Sequence, residues 1–222
     1  MMTGASAPES GPARATSEQS GVALGRSPEH SPEHSPENSP EHSPEHSPGV
    51  VLIGFMGAGK SRVGKELARL LHVEFADTDK LIERRHGPIA AIFAQRGEKG
   101  FRLLEQSTVI ASLVAMNEES RVVSLGGGPV TTSAVREALA GQPRVAWLTA
   151  PLEVVLARVR GGGSERPLAA DEEAFARLYS ARQRLYEACS TARFLNDGTE
   201  PVEIVAARLA EWARENDAEK ET

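Results

Sequence analysis

Residues 54–61 read Gly54-Phe55-Met56-Gly57-Ala58-Gly59-Lys60-Ser61. The stretch fits the spacing G-x-x-x-x-G-K-[ST], in which a glycine loop cradles phosphates. Glycines let the backbone turn tightly and approach an anion with no Cβ in the way. The amides of Gly57, Ala58 and Gly59 then face the phosphates, and the helix that starts near Lys60 adds its positive end. Lys60 is expected to reach the β- and γ-phosphates of a nucleoside triphosphate, and Ser61 to hold Mg²⁺ through its hydroxyl. A bare glycine turn would need none of this chemistry. The flanks favour the phosphate reading: an apolar run Val50-Val51-Leu52-Ile53 before the loop and a helix-like segment, 62–71, after it.

Three further groups have chemistry to offer. Asp77-Thr78-Asp79 sets two carboxylates two residues apart. One suits Mg²⁺, directly or through water, and the other suits taking a proton from an attacking hydroxyl. The plain alternative is a helix N-cap ahead of Lys80-Leu81-Ile82-Glu83, which is compatible with that chemistry. Gly126-Gly127-Gly128 is either a flexible turn or a place where a substrate lies against bare backbone amides. The third group is Arg102, Arg166 and Arg182. Arg166 follows three glycines and precedes Pro167, a composition that suits a flap closing over a triphosphate. Guanidinium groups also grip a carboxylate or phosphate at two points.

These residues need a scaffold that gathers them. The pattern alternates strand and helix from residue 49: strands near 49–53, 73–76, 121–125, 144–148 and 192–195. Helices are expected near 60–71, 78–86, 88–96, 98–116, 131–140, 151–160, 171–188 and 200–216. Such alternation predicts an α/β domain with a parallel sheet and helices on both faces. Right-handed crossovers place every strand's C-terminal end on one edge, where ligands gather. The aspartate pair and the triple glycine both close strands, so both should border the phosphate loop.

Composition limits the alternatives. The chain of 222 residues suffices for one α/β domain, 49–216, with short flanking ends. No apolar run approaches a membrane span, and the single cysteine, Cys189, excludes an internal disulfide; both suit a cytoplasmic protein. Residues 1–48 carry a charge of -5 and the rest only -1, which argues against a general nucleic-acid binder. That first segment contains Ser-Pro-Glu-His repeats with His30, His34, His42 and His46 and nothing apolar from Ser27 to Pro48. Such a composition predicts a disordered tail. Its histidines lack the preorganisation of a metal site. Residues 217–222 are expected to be disordered as well.

Taken together, the motifs resemble shikimate kinase over about Val50 to Leu209. The resemblance rests on residues 54–61, on Asp77-Thr78-Asp79, and on Ile92-Phe93 followed by Gly97-Glu98 and Phe101-Arg102-Leu103-Leu104-Glu105. It rests also on Leu125-Gly126-Gly127-Gly128, on Arg166-Pro167-Leu168, and on Arg182 with Tyr186. Other small P-loop kinases, acting on gluconate or nucleoside monophosphates, share only the first motif. The resemblance implies a five-stranded parallel sheet of order 2-3-1-4-5 with a mobile lid. It also implies a monomer that phosphorylates the 3-hydroxyl of shikimate with ATP and one Mg²⁺ in aromatic amino-acid synthesis. Position by position it implies Lys60, Asp79 and Arg166 as catalytic residues. Gly57, Ala58, Gly59, Lys60, Ser61, Arg62, Arg160 and Arg166 would hold ATP, and Ser61 and Asp77 the metal. Asp79, Arg102, Gly126, Gly127, Gly128 and Arg182 would hold shikimate. The loop from Arg160 to Arg166 is short for the family, which leaves Arg158 as the alternative to Arg160 beside adenine. No basic residue stands before Pro201, and Pro129 replaces the small residue usual after the triple glycine.

Overall fold

A computed structural model describes residues 49–161 and 171–218. Five strands form one sheet in the order β2-β3-β1-β4-β5. These are β1 (Val50–Ile53), β2 (Glu74–Asp77), β3 (Arg121–Ser124), β4 (Val145–Thr149) and β5 (Ala192–Leu195). Every neighbouring pair is parallel, as the alternating pattern predicts. Seven α-helices accompany them among the described residues: α1 (Lys60–Leu71), α2 (Thr78–His86), α3 (Ile89–Glu118), α4 (Ser133–Ala140), α5 (Leu152–Gly161), α6 (Glu172–Cys189) and α7 (Val202–Ala218).

The central strand explains why the sheet needs cover on both sides. All four residues of β1 are fully buried, and successive side chains point to opposite faces. Val51 and Ile53 join a core with Val109 and Leu113 of α3, Val135 of α4, Val155 of α5 and Phe175 of α6. Val50 and Leu52 join a second core with Val63 and Leu67 of α1 and Val205 and Leu209 of α7. A third, small cluster of Ile82, Ile92 and Phe101 ties α2 to α3. It belongs to the flank that carries Asp79 and Arg102, away from the two sheet cores.

Three local details matter for the cleft. Asp77 ends β2 and is also the N-cap of α2, its carboxylate accepting from the amides of Asp79 and Lys80. The two helices expected at 88–96 and 98–116 are present within α3, parted at Gly97, whose φ of 67° interrupts the helical path. After the triple glycine comes a single 3₁₀ turn, Pro129–Thr131, and only then α4. Pro129 fits the first position of that turn, where its fixed φ is favourable and its missing N–H costs nothing. Arg166, with the rest of the Arg-Pro-Leu motif and the flap expected there, falls in 162–170 and lies outside the described residues. So does the Ser-Pro-Glu-His segment.

Candidate active site

One cavity of about 820 Å³ opens along the C-terminal edge of the sheet. Its wall includes Gly57, Gly59, Lys60, Ser61 and Arg62 of the phosphate loop, together with Asp77, Asp79, Gly126 and Gly127. The geometry expected from topology is therefore present: the aspartate pair and the glycine loop border the phosphate cradle.

The cradle is built from backbone. Helix α1 begins at Lys60 after Gly59, whose φ is 91°, and no side chain among the described residues caps it. Its first amides and dipole are thus left to an anion. Lys60 is buried, and its Nζ donates to the carbonyls of Gly54 (2.9 Å) and Phe55 (3.0 Å). The ammonium is held over the loop, within a short rotation of any phosphate seated there. Ala58 is buried under the loop and is absent from the cavity wall; its carbonyl accepts from Asn196 Nδ2 at 2.8 Å.

Beside the cradle, Ser61 Oγ donates to Asp77 Oδ2 at 2.6 Å. A hydroxyl and a carboxylate side by side at the start of α1 suit a hard divalent cation that takes its other ligands from phosphates and water. Among the described residues no group of three or more His, Cys, Asp or Glu side chains converges on one point. The donor set therefore fits Mg²⁺ bound with a nucleotide better than a metal held by protein alone.

The opposite wall is assembled from distant segments. Asp79 lies against Gly126: a Cβ built on that glycine would stand 2.5 Å from Asp79 Oδ1. A Cβ on Gly128 would collide with Arg102 Nη1. Bare Cα atoms at these two positions are what let the carboxylate and the guanidinium close on the loop. Arg102 and Arg182 do not line this cavity and meet the glycine loop at Gly128 and Gly127. Arg102 Nη1 donates to Glu105 Oε2 at 2.7 Å, and its guanidinium lies 5.5 Å from the Phe101 ring centre. Arg182 Nη1 donates to the Gly127 carbonyl at 2.8 Å. Its Nε is buried and has no hydrogen-bond partner among the described residues. The buried guanidinium sits 5.7 Å from the Phe55 ring centre.

The loop's own polar groups are largely committed. The Gly126 amide donates to Thr78 Oγ1 at 3.2 Å. The Gly127 carbonyl accepts from Tyr186 Oη at 2.7 Å as well as from Arg182. Of the amides that the sequence offers either to a turn or to a substrate, that of Gly126 is bonded to Thr78. Burial pushes the Tyr186 phenol well above its usual range, so it stays a neutral donor. Burial likewise raises the Glu105 carboxyl, against the opposing pull of Arg102. Glu105 and Tyr186 stood in the quoted motifs without a role. Helical spacing already sets Glu105 three residues from Arg102 and Tyr186 four from Arg182; that both are buried is a tertiary fact.

The two candidate arginines of α5 separate clearly. Arg158 lines the cavity, and its Nη1 donates to the carbonyls of Asn196 (2.8 Å) and Gly57 (3.3 Å). Arg160 is half-exposed, pairs with Glu172 at 2.6 Å, and is absent from the cavity wall. A one-residue helical offset of 100° separates neighbours, so residues two apart point to opposite sides; only one of these two arginines can face the cleft. Asn196, Pro201 and Glu200 complete that end of the cavity.

Comparison with known proteins agrees with this architecture. The shikimate kinase family model matches residues 56–213. The shikimate kinase of Corynebacterium glutamicum is 42% identical over 163 residues, covering 72% of this chain and 94% of that protein. That of Mycobacterium avium is 44% identical over 159 residues, covering 70% and 88%. The solved structure of the Acinetobacter baumannii shikimate kinase in complex with shikimate superposes with a TM-score of 0.68 at 30% identity, covering 76% of this chain and 94% of that one. With the family model matched over residues 56–213 and relatives above 40% identical covering at least 70% of the chain, the chain belongs to the shikimate kinase family.

Proposed function

We propose that the cleft transfers the γ-phosphoryl group of ATP to the 3-hydroxyl of shikimate, giving shikimate 3-phosphate and ADP in aromatic amino-acid biosynthesis. The observation that carries this reading is the sharing of one cavity by the phosphate loop, Asp79 and the glycine loop, with Arg102 and Arg182 in contact with that loop. A hydroxylated carboxylic acid needs acceptors for its hydroxyls and a cationic grip on its carboxylate, and this wall offers both.

In this scheme the triphosphate lies on residues 54–61 and the base lies toward Arg158 and Pro201. Arg158, clamped on two carbonyls, takes the place beside adenine that the resemblance first gave to Arg160. Arg62 borders the phosphates. Lys60 leaves the Gly54 and Phe55 carbonyls for the β- and γ-oxygens. Arg102 and Arg182 hold the carboxylate of shikimate, Gly126, Gly127 and Gly128 lie along its ring, and Asp79 accepts hydrogen bonds from its hydroxyls. Asp79 also stands ready to take the proton released as the 3-hydroxyl attacks in line. Phosphoryl transfer has a loose transition state, so positioning and charge neutralisation outweigh a strong base. Ser61 and Asp77 would hold one Mg²⁺, which would supply charge neutralisation for the transferring phosphoryl group. Arg166 is the proposed lid arginine on the grounds of its motif. The enzyme is proposed to work as a cytoplasmic monomer on two small molecules.

Release of ADP by the full chain with Mg²⁺ and ATP tests the proposal. Turnover should require shikimate, and gluconate or nucleoside monophosphates should not replace it. Equal ADP release with and without shikimate would end this reading.

A further inference from the structure

Thr78 sits between the two aspartates and has no part in the chemistry above, yet it is fully buried. Its hydroxyl is used twice. It donates to the Ser124 carbonyl at 3.3 Å and accepts from the Gly126 amide at 3.2 Å. Ser124 is the last residue of β3 and the register partner of Asp77 across the sheet; Gly126 opens the glycine loop. The neighbours of Thr78 face two different partners. Asp77 holds Ser61 on the phosphate side, while Asp79 leans on Gly126.

We infer that Thr78 is a positioning residue of the acid-binding wall: its hydroxyl bridge sets the gap between the Asp79 carboxylate and the glycine loop. A hydroxyl donates to a carbonyl and accepts from an amide through one atom, which an apolar side chain of the same shape cannot do. Without it, the buried Gly126 amide and the Ser124 carbonyl both lose this bond, and a buried amide left unpaired pulls the backbone toward other acceptors. The Gly126 amide is the first link of the loop that also meets Arg182 and Tyr186 through Gly127. A shift there moves the whole wall relative to Asp79, whereas Lys60 and the cradle are anchored on their own carbonyls. Displacements of this kind far from the reacting bond are costly to turnover and to substrate fit. The inference rests on the assignment of this wall to shikimate.

Steady-state ADP release by the full chain, with shikimate and ATP varied separately, reads the effect. Thr78→Val keeps the branched shape and removes the hydroxyl. It should raise the KM for shikimate about ten-fold while the KM for ATP stays within about two-fold. Thr78→Ser keeps the hydroxyl and should hold the shikimate KM within about three-fold of wild type. If the valine variant does not fold, Thr78→Ala carries the same comparison with serine. The inference is overturned if loss of the hydroxyl leaves both constants unchanged, raises both alike, or is matched by the serine variant. A wild-type enzyme that turns over without needing shikimate defeats the functional reading instead, and is recognised before any variant is made.

Discussion

Eight consecutive residues, 54–61, build the phosphate wall of the cleft. The facing wall takes Asp79 from α2, Arg102 and Glu105 from α3, the glycine loop from the end of β3, and Arg182 and Tyr186 from α6. The first wall is one contiguous stretch set between a strand and a helix that adjoin it in sequence, with Asn196 and Arg158 bonded to two of its carbonyls from farther along the chain. The second has no such continuity in sequence. Its parts are held together by side chains gripping one loop: Thr78 on the Gly126 amide, Arg182 and Tyr186 on the Gly127 carbonyl, Asp79 and Arg102 against bare glycine Cα atoms. The contrast follows from the ligands. Phosphates carry charge on every side and are satisfied by amides that any loop of this shape supplies. A ring acid presents a carboxylate and several hydroxyls in fixed directions, and only side chains reaching in from separate elements meet them all.

Substitutions on the two walls should therefore fail differently. The largest effect is expected from Lys60→Ala. It removes the one cation built into the phosphate loop, and kcat should fall by about 10³-fold or more, whichever substrate is saturating. A variant within ten-fold of wild type would show that Lys60 does not face the transferring group. Next comes Arg102→Lys, in which a point charge replaces a two-pronged donor. The apparent KM for shikimate should rise by about 10- to 100-fold with little change in the KM for ATP. If shikimate kinetics stay untouched, Arg102 does not grip the carboxylate.

A smaller effect separates the arginines of α5. Arg158→Ala should raise the KM for ATP by about three- to ten-fold. Arg160→Ala removes a half-exposed ion pair, and should change neither KM by more than about two-fold, as surface pairs are weak. The reverse order would return Arg160 to the nucleotide.

The smallest effect is one of pH. Burial raises the Glu105 carboxyl in the folded chain, so the native state holds its proton more readily than the unfolded one. Its contribution to stability is complete below the unfolded value and is lost as pH rises through the folded one. The melting temperature of Glu105→Gln should accordingly change less between about pH 4 and 7 than that of wild type. Parallel curves would remove Glu105 as the source of that slope. The same variant should raise the shikimate KM a few-fold, because Arg102 loses a charged partner 2.7 Å away.

The sequence by itself determined the sheet, since alternating strand and helix patterns with β1 apolar throughout leave few arrangements other than a parallel sheet covered on both faces. It determined the phosphate wall as well, because contiguous residues act there through backbone shape, and backbone shape is written in glycines. Asp77 and Asp79 were legible for a related reason: they close a strand whose end must lie on the ligand edge. Tertiary structure alone decided which of Arg158 and Arg160 faces the cleft, since helix phase against the sheet picks one of two residues that spacing leaves equal. It alone turned the Gly126 amide toward Thr78 and buried Glu105 beside Arg102. The first contact joins residues 48 apart in the chain; the second joins helix neighbours three apart, whose pairing spacing allows but whose burial only the packing around α3 decides.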